Sequence, residues 1–172
     1  MIPLLWSNKI AVRNCEDIGV NLQKIVALLL QNDNLVNLLY YEGKDPLSEK
    51  HLTLDQKKEE VYEKLLKIIP RVGPKETAKS IVTIRTTRGR KLPSNNEFKD
   101  VTIEIENFVP LTQWIIKDDN LRPFAIMGEI QKTLVGKKIN GLGKITGGDF
   151  DLNFLTDEVS CYMQVFNITS YD

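Results

Sequence analysis

Histidine occurs once in the 172 residues, at His51, and cysteine twice, at Cys15 and Cys161. One imidazole and two distant thiols cannot make the Cys/His sets that hold zinc. Cysteines at opposite ends, outside any close-spaced motif, read as free thiols of a chain folding under reducing conditions, with Cys161 buried in a strand. Long apolar runs are also missing. The longest, residues 25–30, is far short of the ~20 residues that span a bilayer, so no membrane partner is expected. Residues 1–9 hold Ile2, Leu4, Leu5 and Trp6 with no basic stretch before them, unlike a signal peptide. The Asn167-Ile168-Thr169 triplet is then a chance match to a glycosylation acceptor. Net charge is absent as well: 23 Lys and Arg balance 23 Asp and Glu. A protein whose main work is to coat nucleic acid needs a positive excess, so that class is excluded.

Catalytic constellations are equally scarce. His51 lies among lysines and acids, and no Gly-x-Ser-x-Gly elbow accompanies it. The stretch Gly141-Leu142-Gly143-Lys144-Ile145-Thr146-Gly147 resembles a dinucleotide loop, but its third glycine falls one residue late. It also leads into a strand, whereas phosphate binding needs a helix N-terminus. Asp149-Phe150-Asp151 could offer two carboxylates to a hard cation, yet it reads as a solvated turn. The sequence therefore predicts no catalytic residue, no metal and no cofactor.

What is present is a single α+β domain, with a helical part over about 17–69 and a sheet-plus-helix part over about 80–172. Apolar spacing predicts a helix over 17–41, broken at Asn32-Asp33-Asn34 by side chains that favour caps. Thr53-Leu54-Asp55-Gln56 has capping-box form and predicts a charged helix to about 69. Its outer face, including Lys57 and Lys58, reads as solvated. Alternation predicts a strand from 80 to 87, a long connection, and a second strand over 101–106 with Glu104 and Glu106 on its exposed face. Pro123 and Gly136 bracket a helix with Phe124, Met127, Ile130 and Leu134 as its buried stripe. A short strand around Ile145 and a last strand over 159–169, apolar on both faces and so inside the sheet, complete the chain. The expected architecture is a mostly antiparallel sheet of about four strands with helices on one face.

Charge is unevenly placed. Arg85, Arg88, Arg90 and Lys91 gather along one hairpin arm, whose geometry predicts a projecting loop. After Lys144 there is no Lys or Arg, while Asp149, Asp151, Asp157, Glu158 and Asp172 accumulate. Either both regions are ordinary exposed loops, or unlike patches of neighbouring copies meet head to tail and close a ring.

The alternation Val101-Thr102-Ile103-Glu104-Ile105-Glu106, the helix from Phe124 to Val135 and the closing strand from Tyr162 to Ile168 carry a resemblance. With the interrupted helix from Leu22 to Tyr40, they resemble the small tail-terminator (tail-completion) proteins of tailed bacteriophages. The resemblance implies a non-enzymatic virion protein. Such a protein forms a ring, usually of six copies, that caps the tail tube, contacts tail-tube and neck proteins, and lets DNA pass without sequence-specific binding. The charged helix over 55–69 has no counterpart in that pattern. A head-completion, stopper or baseplate subunit would have similar composition, and a cytosolic protein-binding domain is the alternative of a different class.

Overall fold

A computed structural model describes residues 15–68, 79–91, 98–139 and 143–169. The interrupted helix is two helices, α1 (Cys15–Gln31) and α2 (Asp33–Tyr40). Asn32 makes the break. Its Oδ1 accepts from the Leu35 N–H at 3.0 Å as an N-cap, while its Nδ2 donates to Glu129 Oε2 at 3.0 Å and Thr133 Oγ1 at 2.8 Å. One asparagine thus ends α1, starts α2 and ties both to α4 (Arg122–Leu134).

The capping box at Thr53 is present, but the charged helix is much shorter than expected. It runs as α3 (Leu54–Gln56) and a π-helical turn (Lys57–Val61), then stops at Glu63, whose φ of 62° is left-handed. Leu66 and Lys67 instead form β1, parallel to β2 (Ile81–Lys91). Periodicity over Val61, Leu65 and Ile68 suits a helix. The edge of β2 offers unpaired backbone groups, however, and a Val82 N–H to Leu65 C=O bond of 2.7 Å takes the chain there. Lys57 is also buried rather than solvated. Its ammonium donates to Asp33 Oδ1 and to the Leu30 carbonyl, joining the negative end of α1 to the acid that starts α2.

The sheet has six strands in the order β1-β2-β3-β6-β5-β4, all antiparallel except the first pair. Four are long: β2, β3 (Phe98–Pro110), β5 (Gly143–Leu155) and β6 (Val159–Thr169); β4 is Lys138–Ile139. The expected count of about four omitted β1 and β4, which are two residues each and give no period. The hairpin of β2 and β3 and the central position of β6 follow the sequence. The 149–151 segment does not, since it lies within β5. Gly147 and Gly148, with φ of +96° and +105°, sit at a bulge that lets the strand continue past them. A Cβ on Gly147 would come within 2.7 Å of the Val165 carbonyl, so this position tolerates glycine alone.

Helix α4 covers one sheet face, with α1 and α2 packed against it. Ile84, Ile103, Ile105, Ile145, Phe166 and Ile168 point into that core. Arg122, at the start of α4, is wholly buried. Its guanidinium donates to the carbonyls of Gln113, Leu38, Tyr41, Glu42 and Gly43 at 2.6–3.4 Å, holding the end of α2 against the start of α4.

Candidate functional site

Strand register sorts the charged residues into rows on the sheet face away from α4. Side chains alternate, so residues opposite one another share a face. One row reads Arg85–Glu104–Val165–Asp149 across β2, β3, β6 and β5. The next toward the core end reads Thr83–Glu106–Met163–Asp151, and beyond it lie Ile81, Phe108, Cys161 and Phe154. In the other direction come Arg88 opposite Thr102 and Arg90 opposite Asp100.

Arg85 is not part of an exposed basic cluster. Its Nε and Nη2 reach Glu104 Oε2 at 2.8 and 2.7 Å, and its Nη1 reaches Glu106 Oε2 at 3.1 Å. Burial opposes the guanidinium charge, but the two carboxylates outweigh it and raise its pKa above the ordinary arginine value. Glu106 is only 3% exposed, against the expectation of a solvated face. Asn153, at the second bulge of β5, turns its Nδ2 to Glu106 Oε1 at 2.7 Å, and the Thr83 hydroxyl donates to Oε2 at 3.4 Å. The network is an internal fastening of three strands.

Arg88, Arg90 and Lys91 are exposed, but they stand on β2 itself and not on a projecting loop. The ladder with β3 continues to Lys91 because Thr102, Val101, Asp100 and Phe98 supply partners. Asp149 and Asp151 are exposed on β5, on the same sheet face as Arg88 and Arg90. Asp157 and Glu158 occupy the β5–β6 turn, where the Thr156 hydroxyl accepts from the Glu158 and Val159 N–H groups. That turn lies at the opposite end of the sheet from Arg90, so the structure separates these acids from the basic group. Asp172 lies outside the described residues.

The short outer strands leave two open lengths of edge. β1 pairs with β2 only at Val82 and Thr83, and β4 pairs with β5 only at Gly143 and Lys144. The Lys137 and Gly136 backbone extends the latter to Ile145, and Gln131 Nε2 donates to the Gly148 carbonyl at 2.7 Å. Among the described residues, no strand pairs with the outer edge of β2 from Ile84 to Lys91, or of β5 from Asp149 to Leu155.

The α4-side face of β5 is apolar and open. Phe124, expected in the core, is 39% exposed and packs its ring on Phe150 and Tyr162, with centroids 5.8 and 5.2 Å apart. Trp114 extends the group to Tyr162 at 6.2 Å, and Leu152 and Leu155 are more than half exposed beside it. Residues 149–152 thus form an amphipathic edge strand, acidic on one face and apolar on the other. Their alternation was visible in the sequence once the glycine pair before them is read as a bulge.

His51 Nδ1 lies 3.3 Å from Asp33 Oδ2, whose other oxygen holds Lys57, so the sole histidine sits beside the Asp33–Lys57 ion pair. Among the described residues no three metal-ligating side chains come together, and no helix is long and apolar enough to cross a membrane. Cys15 is exposed and Cys161 buried. Burial, reinforced by the Glu106 carboxylate, pushes the Cys161 thiol up to about 12. At pH 8 a maleimide should therefore label Cys15 readily and Cys161 about a thousandfold more slowly until the protein unfolds. Equal labelling rates in the folded protein would refute this burial.

Comparison with curated proteins finds no match. A family model, YomW, matches residues 32–168, from the cap of α2 almost to the end of β6. YomW is a protein of the Bacillus phage SPBc2 region. The long sheet, α4 and the two open edges all lie within the matched span, and the chain accordingly belongs to the YomW family, a phage-related one.

Proposed function

We propose that this protein is a non-enzymatic structural component of a phage virion, a tail terminator that assembles head to tail into a ring of six copies in the neck. The observation carrying this reading is a neutral molecule with two open sheet edges of opposite charge, Arg88 and Arg90 on one and Asp149 and Asp151 on the other. A heterologous contact of this kind joins different surfaces of identical subunits, and such contacts close into rings when the rotation permits. The membership of a phage-related family supports the virion setting, and the exposed aromatic group beside β5 offers area for protein contact. In this reading the ring caps the tail tube, touches neck proteins and lets DNA pass through its lumen without reading sequence.

Light scattering after gel filtration, at micromolar concentration and low salt, measures the copy number directly. The expected mass is about six times the 19.7 kDa chain. A strict monomer, both alone and with purified tail tubes, would sink the ring. An assembled ring that never binds tail tubes would instead move the protein to another virion position.

A further inference from the structure

We infer that the subunit contact is a continuous antiparallel sheet, in which β5 of one copy takes β2 of a second copy along its open edge. The inference rests on the head-to-tail reading above and specifies its interface. Strand direction alternates through β2, β3, β6 and β5. An identically oriented neighbour therefore presents β2 antiparallel to β5, with both copies' α4 helices on the same side. Charge then selects the register. Asp149 opposite Arg90 and Asp151 opposite Arg88 place every acid beside a base on one sheet face. Phe150 falls opposite Gly89 on the other face, where its half-exposed ring can cover a residue that has no side chain.

The short strands fit this register. With Asp149 opposite Arg90, the β2 residues held by β1, Val82 and Thr83, fall beyond the end of β5. The β5 residues held by β4, Gly143 and Lys144, fall beyond the end of β2. Neither short strand obstructs the contact. Within one copy Asp149 shares a row with Arg85 and Glu104, whereas Arg90 shares one with Asp100, four positions along β3. Each copy is therefore displaced about 14 Å along the strands for about 19 Å across its four long strands, an inclination of roughly 35°. Closed barrels incline their strands by a similar amount. Charged, bulged edges ordinarily keep sheets apart; here the two edges carry opposite signs over matching lengths.

The test is a charge exchange. In the full chain, Arg88→Glu with Arg90→Glu makes both edges acidic, and Asp149→Lys with Asp151→Lys makes both edges basic. Each double variant should associate at least ~100-fold more weakly than the wild type at low salt. Mixed one to one, the two should reassemble as an alternating ring, because each edge then meets its opposite. Cys161 protection from maleimide confirms that each variant is folded; for a variant that loses it, Asp149→Asn with Asp151→Asn gives the same comparison through charge removal. Variants that assemble alone as well as wild type would overturn this interface while leaving the ring intact. Variants that dissociate but fail to reassemble when mixed would overturn the register. A monomeric wild type would overturn both the interface and the ring.

Discussion

Replacing Arg122 with methionine is expected to cost about 3–5 kcal/mol of stability, the largest effect of any single substitution considered for this fold. The side chain is wholly buried and donates to five main-chain carbonyls, three of them in the Tyr41–Gly43 segment that follows α2. A buried carbonyl left without its donor costs ~1–3 kcal/mol. Burial lowers the arginine pKa, with the Glu42 carboxylate partly opposing that shift, but the group remains charged at ordinary pH. Arg122→Lys keeps the charge but offers three donors on a single nitrogen in place of a planar fork, so it should lose about half as much. Urea unfolding of the three proteins measures the difference. If the methionine variant stays within about 1 kcal/mol of wild type, the carbonyls are satisfied by other means and the clasp is dispensable.

The second large effect concerns the row of charges inside the sheet. Arg85→Leu should destabilise by about 3 kcal/mol, because it leaves the Glu106 carboxylate buried without its cation, held by the neutral donors Thr83 and Asn153. Adding Glu106→Leu should recover most of that loss. The double variant replaces the buried pair with apolar groups, while Glu104, partly exposed, can turn to water. The signature is therefore non-additivity: the double variant is more stable than Arg85→Leu alone. Additive losses would show that Glu106 is stabilised independently of Arg85. Both substitutions leave Arg88, Arg90, Asp149 and Asp151 in place, so assembly of the folded variants should be retained.

Local pattern was enough for much of the architecture. The break at Asn32, the capping box at Thr53, the bracket of Pro123 and Gly136 around α4, and the span of β6 all depend on short-range chemistry. A cap needs a side-chain oxygen within a few residues, and a strand announces itself by alternation. The unequal charge was also legible, since it is a matter of composition along the chain.

Four outcomes depended on packing across the sheet. The sequence over 55–69 has helical spacing, yet the unpaired edge of β2 drew Leu66 and Lys67 into a strand. Gly147 and Gly148 look like a turn, but β6 offered a ladder that continues through them as a bulge. Arg85 looks like its neighbours Arg88 and Arg90, and only the cross-strand register gave it Glu104 and Glu106 as partners. Phe124 has the spacing of a core residue, and only the position of α4 over β5 left its ring at the surface. In each case the deciding contact joins residues far apart in the chain, and a local period carries no information about such contacts.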